Sequence, residues 1–316
     1  LLIHSENFQA LSLLQERYRE QVKCIYIDPP YNTGGDGFPY KDNYQHSSWT
    51  TMMSDRMALA QMLFKETGLF FCSLDNNEDS QARFLFNNIF SEKHFVANIT
   101  VVNNLKGRQD REHIATAHEY LLMYEMPHGL SYGFPLSNDR KTKFEHIDEE
   151  GFRYELRDLR RRGGGDRRED RPNMYFPIYW NEIKKNASLE RFFESDIEIY
   201  PMRSDGSPGR WRWGEDRVRN NLKILEAKIS PNGNRWNVNY RVYLDKESER
   251  RTKPKSIWID PKYSTDHAGK TLKKIIPYPQ YPSPKPIGLL KDIFVHSNEK
   301  NETIVDFFSG SGTTGH

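Results

Sequence analysis

Cysteines and long apolar runs are scarce in this chain of 316 residues. It contains only two cysteines, Cys24 and Cys72, and both lie inside apolar, strand-like segments. We therefore expect buried free thiols in a reducing compartment rather than a disulfide. No apolar run approaches the roughly 18 residues of a membrane span. The N-terminal sequence "LLIHSENFQA" lacks the basic start and apolar core of a signal peptide. These absences predict a soluble globular protein.

Charge and metal-binding residue types exclude further classes of function. The formal net charge is only +2, so no global positive field indicates a nucleic-acid partner, and the local distribution of charge matters more. The histidines show no convincing ligand spacing, and two widely separated cysteines add no metal motif. We therefore expect no metal site.

Strand-like and helix-like segments alternate along the first 130 residues. Apolar stretches predict strands at 1–4, 22–27, 68–74, 95–102 and 120–124, and helical spacing predicts helices at 7–18, 48–64 and 80–89. This alternation predicts an α/β fold with a mostly parallel sheet covered on both faces. Because such sheets bind ligands at the carboxyl ends of their strands, we expect Asp28 and Asp75 at that edge.

The segment Asp28-Pro29-Pro30-Tyr31 follows the predicted strand at 22–27. Neither proline has an N–H and both have a restricted φ angle, so the segment cannot continue a sheet ladder and its carbonyls point in restricted directions. One carboxylate, rigid carbonyl acceptors and an aromatic ring fit a planar group that carries an NH₂, such as the exocyclic amine of a nucleobase. The alternative is a tight structural turn that caps the strand.

A second motif, "TIVDFFSGSGTTGH", combines an apolar strand, Asp306 and a glycine-rich turn. Gly310, Gly312 and Gly315 match the spacing G-x-G-x-x-G, which lets a ligand approach backbone N–H groups closely. No lysine follows the glycines, so the motif is not a Walker loop. An ordinary strand-to-helix turn explains the same glycines.

The composition changes from about residue 131, where apolar runs shorten and Arg, Gly, Asn and Trp become frequent. We interpret residues 131–275 as an inserted or second domain, mixed and loop-rich, between residues 1–130 and 276–316. Its candidate DNA-binding residues are Arg160, Arg161, Arg162, Arg167, Arg168, Arg171, Arg210 and Arg212. Arginine suits guanine edges. A solvated charged loop is the alternative, because Asp166, Glu169 and Asp170 offset half of the first cluster.

These features, in this order, resemble the β class of DNA amino-methyltransferases. The stretches "SSWTTMMSDRMALAQ", "GLFFCSLDNNE", "HEYLLMYEM", "RREDRPNMYFPIY", "WIDPKYSTDHAGKTLKKI" and "YPSPKPIGLLKDIF" resemble in particular the modification (Mod) subunit of type III restriction–modification systems. The resemblance implies a permuted, Rossmann-like methyltransferase domain that uses S-adenosylmethionine, with an inserted target-recognition domain. It also implies methylation of adenine N6, because Asp rather than Ser at position 28 favours adenine over cytosine N4 in this family.

The resemblance also implies roles for individual residues. Asp28 and the Pro29 carbonyl would accept hydrogen bonds from the target amine, beside the rigid Pro30, and Tyr31 would stack on a base flipped out of the duplex. The implied cofactor-binding residues are Asp306, Phe308, Gly310, Gly312, Thr313, Lys285 and Glu6. Two of these have alternatives: Lys285 could be a surface lysine on a stiff linker, and Glu6 a helix N-terminal charge.

The same resemblance implies S-adenosylmethionine as the cofactor without a metal, duplex DNA as the substrate, a homodimer and a possible helicase–nuclease restriction subunit. It implies a bacterial cytoplasmic location, associated with the nucleoid. Both ends of the chain look cut, and we expect the cofactor-binding half to be truncated. Cytosine-N4 methylation and a DNA-recognition subunit without methylation activity stay open. The arginine-rich insert and the permuted order disfavour a protein or RNA methyltransferase.

Overall fold

The computed structural model describes residues 1–34, 41–108, 113–230, 235–246, 249–276, 281 and 283–316. The β-strands are β1 (Val22–Ile27), β2 (Phe64–Leu74), β3 (Phe95–Val102), β4 (His118–Glu125), β5 (Phe134–Pro135), β6 (His146–Ile147), β7 (Arg153–Asp158), β8 (Ile178–Asn181), β9 (Asn186–Ser188), β10 (Ile197–Ile199), β11 (Leu225–Ile229), β12 (Trp236–Tyr243), β13 (Arg251–Thr252), β14 (Ile257–Ile259) and β15 (Thr303–Val305).

The α-helices are α1 (Asn7–Tyr18), α2 (His46–Gln61), α3 (Asp79–Phe90), α4 (Asn138–Lys141), α5 (Glu215–Arg219), α6 (Thr265–Ile275) and α7 (Ile287–Ser297). Short 3₁₀ helices span Glu92–His94, Arg168–Asp170, Pro172–Met174, Leu222–Ile224 and Pro261–Tyr263. The predicted helix at 7–18 and the predicted strands at 22–27 and 95–102 have these same bounds in the structure.

The chain divides into two compact units, Leu1–Phe134 with Arg251–His316, and Pro135–Arg250. Residues 251–275, which the sequence analysis assigned to the middle domain, belong to the first unit. The reason is β14, which pairs in parallel with β3 and contributes the buried Trp258 to the first unit's core. So short a strand, between basic segments, gives no periodic signal in the sequence.

The first unit is built on a six-stranded sheet with the order β14-β3-β4-β2-β1-β15. Strand β1 is parallel to both of its neighbours, β2 and β15, and β14 is parallel to β3. Only β4 runs against the other strands of this sheet, since it is antiparallel to both β2 and β3. This arrangement confirms the predicted α/β fold with a mostly parallel sheet.

The burial of β1 on both faces of the sheet explains why polar and apolar residues do not alternate along it. All six residues are buried, and successive side chains enter different cores on the two sheet faces. Ile25 and Ile27 join the core beneath α1, α2 and α3, whereas Cys24 and Tyr26 join the core beneath α7. A parallel strand covered on both faces requires such a continuous run. Both cysteines are free and buried, as predicted.

Helix α2 shows how the helices cover this sheet. Trp49, Met53, Met57 and Ala60 lie on one face at helical spacing and are fully buried in the core of the first sheet face. Each large side chain buried in this way contributes roughly 1.5–3 kcal/mol to stability relative to an exposed position. Helix α2 therefore covers the sheet with a methionine-rich apolar face.

One predicted strand is wrong. Residues 1–4 have no strand pairing, and their side chains are exposed. A short apolar run forms a strand only where a neighbour accepts its hydrogen bonds, and this run lies before α1 without one. Among the described residues, none of the helices combines the length and apolar character that a membrane crossing requires.

The second unit is antiparallel. It contains a four-stranded sheet with the order β11-β12-β7-β6 and a three-stranded sheet with the order β10-β8-β9. Trp180, Trp211 and Val238 are buried in a core shared by strands of the two sheets. This unit therefore has its own apolar core and matches the mixed character predicted for the middle of the chain.

His296, in α7, is a buried titratable residue of the first unit. Its imidazole packs against the rings of Phe71 and Phe134, and its Nδ1 has no hydrogen-bond partner among the described residues. Burial, together with the nearby Lys23 ammonium, lowers the pKa of His296 to about 4. The folded protein therefore favours the neutral ring.

We expect His296 to make the first unit sensitive to acid. Because the pKa is near 6.5 in the unfolded chain and about 4 in the folded one, stability is present above pH 6.5 and is lost as the pH falls towards 4. Between pH 7 and pH 5 this loss amounts to about 2 kcal/mol. Urea unfolding of His296→Gln should lack this loss, and the exposed control His128→Gln should keep it. Equal pH dependence in all three proteins would contradict the assignment.

Candidate active site

Two polar segments meet at one edge of the central sheet. Strand β1 ends at Ile27 and is followed by Asp28-Pro29-Pro30-Tyr31, while its parallel neighbour β15 ends at Val305 and is followed by Asp306. Since parallel strands present their carboxyl ends at the same edge, the two motifs of the sequence become neighbours in space. The predicted position of Asp28 at this edge is thus what the sheet topology produces.

The segment after β1 is held by specific contacts. The Trp49 indole donates a hydrogen bond to the Pro30 carbonyl oxygen at 2.8 Å. Asn32 has a φ of 58°, and its side chain donates to the Tyr44 carbonyl and the Glu78 carboxylate and accepts from the Tyr44 amide. Helix α2 and the residues before it therefore fix the direction of this turn.

Lys285 is the centre of a buried polar cluster. Its ammonium donates to Glu119 Oε2 at 2.7 Å and to the Tyr31 hydroxyl, and the Tyr31 hydroxyl donates to the same Glu119 oxygen at 3.0 Å. The ammonium also lies 3.3 Å from Asp28 Oδ1. With a side chain only 13% exposed, Lys285 is not the surface lysine that the sequence analysis kept as an alternative.

Asp28 is in close electrostatic contact with this cluster but is not fully hydrogen bonded. Its Oδ1 is buried and accepts no hydrogen bond from the described residues, because the Lys285 ammonium at 3.3 Å lacks the alignment. Burial raises the pKa of Asp28 to about 6, with Glu119 and Asp306 adding to the rise and Lys285 opposing it. The site therefore contains an acceptor oxygen that a ligand donor can use.

Lys285 remains charged in this environment. Burial alone would lower its pKa, but the carboxylates of Asp28 and Glu119 outweigh that effect and raise the pKa above its ordinary value. Burial also raises the pKa of Tyr31 well above its ordinary value, so this side chain stays a neutral phenol. The cluster thus combines one cation, two carboxyl groups and one hydroxyl.

Glu119 is the member of the cluster that sequence reasoning missed. It lies in β4, pairs across the sheet with Val101 and is 4% exposed. The signal was present, because a carboxylate in a strand whose other residues are mostly buried and apolar is costly unless it has a partner. The sequence does not identify that partner, since Lys285 is distant along the chain.

A cavity of about 460 Å³ lies at this edge of the sheet. Its lining includes six of the seven predicted cofactor-binding residues: Glu6, Lys285, Asp306, Phe308, Gly310 and Thr313. Gly312, the seventh, lies outside this lining and faces a smaller cavity beside α6. The two glycines have positive φ angles, 52° at Gly310 and 78° at Gly312, which side-chain-bearing residues adopt at a cost.

Asp306 organises the glycine-rich turn. Its carboxylate accepts a hydrogen bond from the Phe308 amide at 2.9 Å and another from the Thr314 hydroxyl at 2.5 Å. The Thr313 hydroxyl donates to the Lys285 carbonyl at 3.2 Å and so joins this turn to the segment before α7. Burial raises the pKa of Asp306. The turn is therefore fixed by its own side chains and by backbone hydrogen bonds such as Gly312 N–H to the Ser309 carbonyl at 2.7 Å.

Glu6 serves as a helix cap and also faces the cavity. Its carboxylate accepts from the Phe8 and Gln9 amides at the start of α1 and forms an ion pair with Arg56 at 2.5 Å. Although partial burial opposes the change, these contacts lower the pKa of Glu6 and keep the group ionised. The helix-capping alternative is therefore confirmed, and the cofactor contact of Glu6 stays a prediction.

A second, smaller cavity of about 120 Å³ adjoins the first. Pro29, Tyr31, Asp75 and Glu119 contribute to its wall. Asp28, Lys285 and Ser283 line both cavities. The carboxylate and the ammonium thus stand where the two cavities meet, which is a suitable place for two ligands to exchange a chemical group.

The arginines predicted to bind nucleic acid all lie in the second unit. Backbone hydrogen bonds there join the segment that contains Arg160–Arg162 to the segment that contains Arg210 and Arg212. Arg161 donates its amide to the Arg210 carbonyl at 2.9 Å, and Arg212 donates its amide to the Leu159 carbonyl at 2.8 Å. Burial, and then the charges of Arg171 and Arg161, lower the pKa of Arg210. Three guanidinium groups are therefore close enough to repel one another.

The other arginines of the predicted set differ in availability. Arg160 is buried and lies 3.8 Å from Asp166, and Arg162 forms an ion pair with Asp158 at 2.6 Å. Arg168 lies over the Tyr175 ring at 4.4 Å. Arg167 and Arg212 are exposed. Among the described residues, no group of His, Cys, Asp and Glu side chains is arranged to hold a metal ion.

Comparison with known proteins gives consistent relatives. A family model described as "DNA methylase" matches residues 22–316. The Mod subunit of the type III restriction–modification enzyme EcoPI, from Escherichia phage P1, is 32% identical over 99% of this chain and 54% of its own length. The type II methyltransferase M.KpnI of Klebsiella pneumoniae is 31% identical over 98% of this chain and 74% of its own length.

Two further comparisons complete this set. The EcoP15I Mod subunit of Escherichia coli is 27% identical over all of this chain and 55% of its own length, so the chain spans about half the length of the Mod subunits it matches. Among solved structures, the PvuII DNA methyltransferase (cytosine-N4-specific) matches with a TM-score of 0.42 and 11% identity, covering 97% of this chain and 74% of that chain.

Proposed function

Since the chain belongs to the DNA methylase family, we propose that it transfers a methyl group from S-adenosylmethionine to N6 of adenine in duplex DNA. One observation carries this proposal: Asp28 and Lys285 line both the 460 Å³ cavity beside the glycine-rich turn and the 120 Å³ cavity beside Tyr31. A donor molecule and an acceptor base can therefore approach the same carboxylate from two sides.

The larger cavity fits S-adenosylmethionine in size and chemistry. Its volume lies within the range of small-molecule sites, and its lining combines carboxylates with an open glycine backbone. Glu6 and Asp306 offer acceptors for hydroxyl and ammonium groups, and Phe308 and Gly310 border the same space. When bound, S-adenosylmethionine supplies a methyl group activated by a sulfonium. The residues proposed to hold it are the predicted set, with Gly312 acting through the shape of the turn.

The smaller cavity supplies the groups that a target adenine needs. The unpaired Oδ1 of Asp28 would accept a hydrogen bond from the N6 amino group, and the Pro29 carbonyl would accept the other hydrogen. Both contacts orient the nitrogen lone pair away from the acceptors. Tyr31 would stack on the base after it has left the duplex, and Pro30 keeps this segment rigid. Positioning and electrostatics are the main contributions of these residues.

The second unit is proposed as the DNA-recognition domain. The Arg161 and Arg171 charges repel the Arg210 guanidinium more than Asp170 and Asp166 offset them, and DNA phosphates would supply further compensating anions. We further propose that the protein acts as the modification subunit of a restriction–modification system, as a homodimer with a restriction subunit, in the bacterial cytoplasm on the nucleoid. Support for this comes from the similarity of the chain to type III Mod subunits.

We expect methyl transfer to be detected directly with tritium-labelled S-adenosylmethionine and mixed-sequence duplex DNA. Nucleoside analysis should find the label in N6-methyladenine. Asp28→Ala should reduce transfer by about 10²-fold or more, because it removes the acceptor that orients the amine. Glu302→Gln, which alters a carboxylate that pairs with Lys65 beside β2, should keep wild-type transfer.

Other outcomes would replace this proposal. Label in N4-methylcytosine would identify the cytosine-N4 enzyme that the sequence left open. Specific DNA binding without any transfer, in the wild-type protein with bound S-adenosylmethionine, would identify a recognition subunit instead.

Tyr31→Ala should slow methyl transfer by about 5- to 150-fold, which corresponds to the roughly 1–3 kcal/mol of a base–aromatic stack. Duplex binding should be largely retained, because the flipped base is the only part of the DNA that this ring is proposed to contact. Tyr31→Phe, which keeps the ring and removes the hydroxyl bonded to Glu119, separates stacking from hydrogen bonding. Unchanged transfer by Tyr31→Ala would remove the proposed stacking role.

Arg171→Ala should weaken DNA binding and reduce the slope of log affinity against log salt by about one, because one phosphate contact is lost. The matched control is Arg191→Ala, another exposed arginine of the second unit, whose guanidinium donates to the Glu194 carbonyl. Titrations at several salt concentrations measure both slopes. Equal slopes for the two variants would contradict a specific role for the arginine cluster.

A further inference from the structure

We propose that Glu119 is a positioning residue that holds the Lys285 ammonium and the Tyr31 hydroxyl, and thereby keeps Asp28 Oδ1 free to accept the target amine. The inference rests on the proposed function, because it assigns Glu119 a task in that same site. The named residues all belong to the first unit, and Glu119 is outside both sequence motifs.

Glu119 holds both the Lys285 ammonium and the Tyr31 hydroxyl through one of its oxygens. One oxygen, Oε2, accepts from the Lys285 ammonium at 2.7 Å and from the Tyr31 hydroxyl at 3.0 Å. Strand β4 is paired on both sides, with β2 and β3, so the backbone that carries this carboxylate is rigid. With a side chain 5% exposed, Glu119 has almost no competing water. It is therefore a fixed anchor for two groups that come from other elements.

The Lys285 ammonium lies closer to Glu119 than to Asp28. The Lys285 ammonium has two carboxylates within reach but donates to Glu119 at 2.7 Å and lies 3.3 Å from Asp28 without hydrogen-bond alignment. An ammonium in a dry site pairs with whichever carboxylate is best placed. Without the Glu119 charge it would move onto Asp28 and occupy the oxygen that the target amine needs. Glu119 thus prevents an inhibitory ion pair inside the active site.

Other ionisable groups also surround Asp28 and contribute to its electrostatic environment. Lys285, Glu119, Asp306, Tyr26 and Tyr31 influence it directly, and Asp42, Asp75 and Arg108 line the adjoining cavity. Glu119 and Lys285 are hydrogen bonded to each other and to Tyr31. Substituting either Glu119 or Lys285 should therefore shift the pKa of Asp28 in a direction that can be predicted.

The two partners have opposite electrostatic effects on Asp28. The Glu119 charge raises the pKa of Asp28 and the Lys285 charge lowers it. Because the ionised carboxylate is the useful acceptor, activity rises with pH through this pKa. Glu119→Gln should therefore move the acidic limb of kcat/KM to lower pH, and Lys285→Met should move it to higher pH. A merely structural ion pair predicts a loss of activity without these opposite shifts.

A double-mutant cycle tests the holding role itself. Glu119→Gln should lower kcat/KM on the pH plateau by about 10-fold, because Lys285 then occupies Asp28. In the Lys285→Met background the same substitution should cost less than about 3-fold, since no ammonium remains to be held. Unfolding midpoints and S-adenosylmethionine binding, measured for all variants, identify any protein that has simply lost its fold. Additive losses in correctly folded variants would overturn the proposal.

The inference also has a readout that does not depend on activity. Carboxyl-carbon NMR of protein labelled in aspartate, with Asp28→Asn to assign the signal, follows the titration of Asp28. Glu119→Gln should shift this titration to lower pH, whereas Glu302→Gln should leave it unchanged. An unshifted titration in Glu119→Gln overturns the inference. If wild-type protein transfers no methyl group while the shift occurs, the proposed function fails, and only the electrostatic coupling of Glu119 to Asp28 is supported.

Discussion

The active-site edge depends on one buried charge, the ammonium of Lys285. It partly offsets the charges of two carboxyl groups, Asp28 and Glu119, that would otherwise be too costly to bury together, and it bonds to the Tyr31 hydroxyl. The three partners come from the segment after β1 and from β4, while the lysine precedes α7. One cation therefore joins segments that are far apart in the chain, and the two cavities are shaped around it.

Burial has opposite consequences for the two carboxyl groups. Glu119 receives the lysine's aligned hydrogen bond, whereas Asp28 is left with an acceptor oxygen that no described residue uses. An unsatisfied buried acceptor costs stability in the absence of a ligand. Such a cost is typical of binding sites, where the missing partner is the ligand itself. The site is thus incomplete in a way that matches a donor such as an amine.

Much of the fold could be predicted from the sequence, and the reasons are local. Strand β1 is apolar because it is buried on both faces, and the DPPY segment after it cannot extend a sheet, so both the strand and its end were readable. The role of Glu119 and the place of β14 in the first unit's sheet could not be predicted, because each depends on a partner that is distant in sequence. Gly310 and Gly312 border different cavities, and spacing alone does not reveal which side of a turn each glycine faces.

The parallel pairing of β1 with β15 has a consequence for biosynthesis. Cys24 lies beside Ile304 in the sheet, so β1 must wait for a partner strand that is synthesised much later. Until that late strand leaves the ribosome, Asp28 lacks its neighbouring turn, and the nascent polypeptide has no complete site. Pairing over such sequence distance also favours slow folding. The candidate site can therefore assemble only after β15 has been synthesised and has paired with β1.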